Sequence, residues 1–568
     1  MDVDSYTLLG DLALSRQRNE EAAENYLNAA MASDDASLAE RAARLAYQSG
    51  LDAIGRRAVA RWRELDPDNP LCDYFSAIFE MRSGREQAAV DDFSSLLDSL
   101  PGNELGRGFV LILEALDNEP TVGIAARIMR QLTSRYQPTR ESHYGMAQLA
   151  LRAGSFDIAL TESEAAVEMD PDWPEAQLLH ARTLLLAGRS EEALEIASTL
   201  ADKYDNSEIK LQFAELLLSA GETDRAETLL NELLAANPGM PEAIRALAFM
   251  SLANGELDTA RERFEMLRTE PTYRDEAFYY LGRIAELQSD YLQATRAYSR
   301  VTTGIRAVDA QIATASILYN QMKDPESALR HLSEFGAANP RFAPEMLVAQ
   351  ARLLLQMGRS EDAIALIDDA VQKGGATPDK SLQDAQVQFY VTLIDDAINR
   401  ADYEEARRWV DEGLSRYADN QDLRYSQSRL LQEEGRLRRA VGILEQLVDE
   451  SPDNPIFLNA LGYLLTDRMD RNEEARGYIQ RALALSPDSG AILDSMGWVL
   501  YRLGDFDLAL DYLERAYRAL EVTEVLAHLV DVHWAMGDHE QAMEMLEKGL
   551  SESPDDPYLT SVRDRLQQ

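Results

Sequence analysis

Six histidines and one cysteine are the residues in this 568-residue chain most suited to metal or nucleophilic chemistry. Three histidines cluster in HLVDVHWAMGDHE: His528, His533 and His539. His528 and His533 are five residues apart, not four, so on one helix they point to different sides, and His539 follows the turn residue Gly537. They read as surface or interface histidines, not metal ligands. Cys72 has no nucleophile signature around it and reads as a half-buried structural thiol; as the lone cysteine it also excludes an intramolecular disulfide. The sequence holds no GxxxxGK[ST], no GxGxxG opening a strand-to-helix unit, no GxSxG and no HExxH. Acidic loops such as Asp-Pro-Asp-Asn-Pro (66–70), Asp-Pro-Asp-Trp-Pro (170–174) and Ser-Pro-Asp-Asn-Pro (451–455) superficially resemble calcium ligands. They lack the glycine and distal glutamate of an EF-hand, so proline ending one helix and Asp or Asn capping the next is the simpler reading. The expectation is a protein with no catalytic site, cofactor or metal.

The elements that would position any functional residue come from an internal repeat. One alanine recurs in a short pattern: Ala159, Ala193, Ala226, Ala260, Ala294, Ala328 and Ala363 follow one another every 33–35 residues, as do Ala406, Ala440, Ala475, Ala509 and Ala542. Glycine usually stands five residues ahead, as in Gly84, Gly188 and Gly504, and a large residue four behind, as in Phe93, Phe264 and Tyr298. Ala22, Ala58 and Ala89 extend the series with looser spacing, and the unit near Ala125 is faint. A 34-residue period with A-x3-F and a closing proline (Pro171, Pro238, Pro340, Pro452, Pro487, Pro554) is the tetratricopeptide signature. The pattern predicts an all-α tetratricopeptide-repeat solenoid, a right-handed superhelix of about 15–16 helix-turn-helix units. Within each unit small residues such as Gly282 and Ala294 let helix A approach helix B. Three segments are expected: irregular units over 1–138, a regular array over 139–377, and a C-terminal array over 378–568. A hinge is expected at 370–386, around Gly374, Gly375 and Pro378.

Lys and Arg number 56 against 99 Asp and Glu, a formal net charge of −43. Such a chain repels phosphate, so no nucleic acid is expected as partner, and an anionic membrane surface is disfavoured. No apolar run is long enough to span a bilayer. The opening MDVDSYTLLGDLALSRQ has neither the basic nor the apolar region of a signal peptide, which fits a cytosolic protein or a mature or truncated form.

What remains is surface for protein recognition. With the alanine as position 20, the edge of helix A lining the concave face falls near positions 2, 5, 9, 12 and 13. In the last three units it holds Asn459, Tyr463, Asp494, Trp498, Tyr501, Arg502, Asp531 and Trp534, and in the unit near 275 it holds Tyr279, Arg283 and Glu286. Tyr, Trp and Arg dominate interface energetics, although an aromatic at helical spacing is more often inter-repeat core. Asn459 and Arg502 fit part of a clamp for a carboxylate terminus, but the lysines are missing and Asp467, Asp494 and Asp531 oppose an anion. The groove favours basic or mixed segments.

Two C-terminal stretches carry a more specific likeness: Phe-Leu-Asn-Ala-Leu-Gly-Tyr-Leu-Leu-Thr-Asp-Arg (457–468) and Ile-Leu-Asp-Ser-Met-Gly-Trp-Val-Leu-Tyr-Arg-Leu-Gly (492–504). They resemble tetratricopeptide lipoproteins of the Gram-negative outer membrane. With length and acidity added, the whole chain resembles the pseudomonad lipoprotein adaptors of carboxyl-terminal processing proteases. That resemblance implies a lipid anchor absent from this chain, since no cysteine opens it and Cys72 is too internal. It further implies a location on the periplasmic face of the outer membrane. The implied role is to bind and activate a carboxyl-terminal processing serine protease and deliver peptidoglycan cross-link hydrolases to it. The protease is expected on the N-terminal units and substrate along the groove. A structural scaffold for an envelope synthesis or export complex is the alternative.

Overall fold

The computed structural model describes residues 2–16, 18–373 and 380–566, so the expected hinge at Gly374, Gly375 and Pro378 lies outside the described residues. Among the described residues there are 33 α-helices, two short 3-10 turns and no strand. They form two compact units, Met1–Ile284 and Ala285–Gln568. The protein is an all-α tetratricopeptide-repeat solenoid, with successive antiparallel helix pairs in each unit. No helix of the described chain is long and apolar enough to cross a membrane.

The recurring alanine explains why the pairs form. All sixteen, from Ala22 and Ala58 through Ala125 to Ala509 and Ala542, are 0% exposed, the faint unit included. Helix A crosses helix B against this small side chain, and glycine on helix A permits the approach. A Cβ added to Gly497 would stand 2.5 Å from Leu513 and 3.1 Å from the Ala509 carbonyl oxygen; one added to Gly462 would stand 2.4 Å from Ile479 and 3.1 Å from the Ala475 carbonyl. The large residue after each alanine fills the space beyond: Phe93, Phe264 and Tyr298 are wholly buried.

The turn between the two helices needs one residue in the left-handed region. Glycine supplies it at Gly84, Gly188, Gly435 and Gly504, among others, with φ from 71 to 91° at the nine positions five residues before a repeat alanine. Four further units place a residue other than glycine there in the same conformation: Ser289 (φ 59°), Lys323 (56°), Ala401 (57°) and Asp470 (55°). Between repeats, the capping expected of the acidic loops holds at 66–70, at 451–455 and at a further such loop, Ser-Pro-Asp-Asp-Pro (553–557). Asn69 accepts from the Leu71 amide, Asn454 from Ile456 and Phe457, and Asp556 from Tyr558 and Leu559, each just before a proline. At 170–174 the capping position falls to Trp173, which lies against Tyr144, ring centroids 4.8 Å apart, instead.

Cys72 is 1% exposed and burial pushes its thiol up to about 11, consistent with a structural role.

The turn geometry makes a paired prediction. Ala401→Gly relieves a left-handed alanine and raises stability by about 0.5–1 kcal/mol, while Gly504→Ala lowers it by about 1 kcal/mol. Gly497→Ala overpacks the helix crossing and costs about 1–3 kcal/mol. Urea unfolding of the full chain checks all three.

Candidate protein-binding faces

The last three A helices, Pro455–Met469, Gly490–Leu503 and Thr523–Met536, carry most of the residues singled out from sequence. The structure gathers Asp494, Trp498, Tyr501 and Arg502 into one cluster around a residue not counted among them, His528. The imidazole Nδ1 lies 2.8 Å from Asp494 Oδ1, and both residues are 6% exposed. The Trp498 ring stacks on His528 (centroids 4.1 Å apart) and on Tyr501 (5.0 Å), and the Arg502 guanidinium sits 5.8 Å from the Trp498 centroid. Arg502 also bonds Asp470 on the preceding turn. His528, read from its spacing as a surface or interface histidine, is buried and pairs with Asp494 on the helix A of the preceding repeat.

Tyr463 donates to Glu524 Oε1 at 2.6 Å, bridging A helices two repeats apart. Both carboxylate oxygens of Asp531 accept from Arg565 Nη2, at 2.6 and 2.5 Å. Trp534 lies against His539 at 4.2 Å. Asn459 is partly buried, and its Oδ1 has no hydrogen-bond partner among the described residues; the same is true of Trp498 Nε1. Tyr279 is 8% exposed and packs edge-on to Tyr280 at 5.3 Å, with Arg283 exposed one turn on. These two belong to the first unit and are not part of the C-terminal cluster.

Charge on the C-terminal face is set by burial. Burial works against the His528 imidazolium, but Asp494, helped by Glu524 and Asp531, outweighs it and holds the His528 pKa above its ordinary value. Burial lifts the Asp531 carboxyl despite Arg565, and burial with Glu524 beside it lifts the Tyr463 phenol. The face is a pre-arranged network of aromatic and acidic groups.

A second set escaped the sequence reading. In the unit of Ala260, positions 2, 5 and 9 are Glu242, Arg245 and Phe249, on Pro241–Ala253. They line a cleft of about 540 Å³ within the first unit. The positional rule that picked out Trp498 finds all three when applied to this repeat.

Tetratricopeptide-repeat family models match residues 144–208, 184–238, 217–271, 455–521 and 500–566. The two stretches they make up are tetratricopeptide repeats. It is similar to a tetratricopeptide repeat-containing protein of Pseudomonas aeruginosa, 29% identical over 92% of this chain and 81% of that one. Cellulose synthase operon protein C of Pseudomonas fluorescens is 22% identical over 72% of this chain, but only 33% of that protein is spanned. Among solved structures, Naa15/Naa10 bound to HypK-THB aligns over 99% of this chain and 88% of that one at 16% identity, with a TM-score of 0.36.

The buried pair sets a pH dependence. A raised native pKa means that the folded chain holds the His528 proton more tightly than the unfolded chain. Its stabilisation is thus complete below the ordinary imidazole value, about 6.5, and is lost as pH rises through the native pKa. Each tenfold tightening of the proton in the folded chain is worth ~1.4 kcal/mol. The Asp531 carboxyl adds an effect of the same sign at lower pH. The wild-type urea midpoint, followed by tryptophan fluorescence, is expected to fall more between about pH 5.5 and pH 8.5 than that of His528→Asn.

Proposed function

We propose that the chain is a non-enzymatic adaptor. It binds and activates a carboxyl-terminal processing serine protease and presents peptidoglycan cross-link hydrolases to it, at the periplasmic face of the outer membrane. The observation that carries the adaptor reading is the helix-A face of Tyr463, Trp498, Tyr501 and Arg502, fixed by Asp494, His528 and Glu524. Aromatic and guanidinium groups held rigidly lose little entropy on binding. The protease and hydrolase partners come from the likeness of 457–468 and 492–504 to envelope lipoproteins; the similarity to a Pseudomonas aeruginosa repeat protein over nearly the whole chain supports the repeat-protein part of the reading.

Mechanistically, the adaptor holds protease and substrate on separate repeats, which turns their encounter into an intramolecular event and raises the effective substrate concentration. Activation further requires tighter binding to the protease's active conformation, because equal affinity for both conformations shifts nothing. A second reading, a scaffold organising an envelope synthesis or export complex, is favoured by the similarity to cellulose synthase operon protein C.

Reconstitution separates the two. Cleavage of a purified hydrolase by a purified carboxyl-terminal processing protease is expected to accelerate at least tenfold when the chain is added. Trp498→Ala combined with Tyr501→Ala should reduce that gain. An unchanged cleavage rate, with a synthesis or export complex captured by the chain from cell extract, supports the scaffold reading instead.

A further inference from the structure

The cleft in the first unit differs in chemistry from the C-terminal face. Its floor is apolar, formed by Leu218 on Ser207–Ser219 and by Ala246, Phe249 and Met250 on Pro241–Ala253. Phe249 is held edge-on between Phe264 (5.4 Å) and Tyr280 (4.7 Å), while its remaining surface stays partly exposed. At about 540 Å³ the cleft falls within the roughly 300–1,000 Å³ typical of sites that enclose a ligand.

Its rim is acidic. Glu215, Asp224, Glu227 and Glu242 all line it. None of the four has an ion pair within 4 Å among the described residues, and Glu242 has only the Tyr273 hydroxyl at 3.3 Å. Arg245, the cation that lines the cleft, is already committed. It makes a two-pronged bond to Glu276 (2.5 and 2.9 Å), with its guanidinium 4.9 Å from the Phe249 centroid and 5.9 Å from that of Tyr273. Burial also lifts the Glu215 carboxyl, a cost that a cation placed beside it would remove.

We propose that this cleft binds an extended segment of a partner protein in which an Arg or Lys stands one or two residues from a large apolar side chain. The apolar side chain enters over Phe249, Leu218 and Met250, where it removes exposed apolar surface from water. The cation meets the rim carboxylates, none of which is ion-paired among the described residues; Arg182 and Arg245 act on Glu215 only from a distance. An acidic segment is disfavoured by four carboxylates, and a purely polar cationic one leaves the floor empty. The proposal rests on the protein-binding reading of the fold, and it adds the recognition chemistry of one repeat pair.

The test uses the full chain and three fluorescent hexapeptides at about 150 mM salt, where attraction to the overall negative charge is largely screened beyond about 8 Å. Ac-Ser-Leu-Arg-Phe-Lys-Ser-NH2 combines both features. Ac-Ser-Leu-Gln-Phe-Gln-Ser-NH2 lacks the charge, and Ac-Ser-Ser-Arg-Ser-Lys-Ser-NH2 lacks the apolar side chains. The first is expected to bind at least tenfold more tightly than either of the others, by fluorescence anisotropy. Phe249→Ala is expected to weaken it at least fivefold. Because Phe249 also packs on Phe264 and Tyr280, the exposed rim pair Asp224→Asn with Glu227→Gln carries the test independently, with the same fivefold loss. Asp453→Asn, on an exposed loop of the other unit, should have no effect. Equal binding of the two cationic peptides, or full binding by the rim variant, overturns the proposal. A chain dimer in sedimentation that the rim variant dissociates also overturns it, by making a second copy the occupant. These outcomes are independent of the protease assay. Peptide binding without stimulated cleavage removes the protease reading and leaves the cleft, and stimulated cleavage without peptide binding does the reverse.

Discussion

Each repeat depends on two helices approaching so closely that only a small residue fits on helix A, glycine at some crossings and alanine such as Ala181, Ala214 and Ala248 at others. At Gly497 a single added carbon would stand 2.5 Å from Leu513 and 3.1 Å from the carbonyl of Ala509, and Gly462 repeats the geometry against Ile479 and Ala475. Because the crossing is so tight, the alanine on helix B is wholly buried in every repeat, and larger residues such as Phe264, Tyr298 and Trp409 are pushed toward the neighbouring repeat. Core is therefore shared between neighbouring repeats within each unit, while some helix-A residues, Glu242, Arg245 and Phe249 among them, stay partly outside it.

Electrostatics works within the same frame. Arginines repeatedly tie one repeat to the next: Arg82 to Glu119, Arg245 to Glu276, Arg416 to Asp368, Arg565 to Asp531. The most buried of these carboxylates, Glu119 and Asp531, are satisfied by such bonds, which matters because an unpaired buried charge is costly. With 99 acids against 56 bases, this pairing leaves a large acidic surplus for the surface. The surplus favours partners with basic segments and speeds their encounter at low salt. At the rim of the Phe249 cleft it stands next to apolar surface, and there general attraction becomes selective.

Much of this was legible in the sequence because it repeats. The spacing of Ala159 through Ala363 revealed the period, and glycine before most of the repeat alanines marked the turn. Four units keep the same left-handed turn with Ser289, Lys323, Ala401 and Asp470 in place of that glycine, since the closeness of the helices, not residue preference, dictates the backbone there. The Asp494–His528 pair was not legible: its partners are 34 residues apart, and spacing within the HLVDVHWAMGDHE stretch concerns only neighbours on one helix. Trp498 and Tyr279 lie on helix A as the spacing predicts, yet both are more than nine-tenths buried, because a ring at helical spacing packs first against its neighbours. The Phe249 cleft was within reach of the same positional rule. Its acidic rim was not, as Asp224 and Glu227 lie on helix B of the preceding repeat, and only the packed structure brings them to Glu242.

The central claim is that partners dock along helix A, with helix B contributing only where Asp224 and Glu227 rim the Phe249 cleft. Hydrogen exchange of the full chain, alone and saturated with a carboxyl-terminal processing protease and its hydrolase substrate, tests it most directly. The account predicts added protection in Pro241–Ala253, Pro455–Met469 and Gly490–Leu503, with Leu257–Leu267 and Phe506–Ala519 unchanged. Protection confined to the B helices would contradict it.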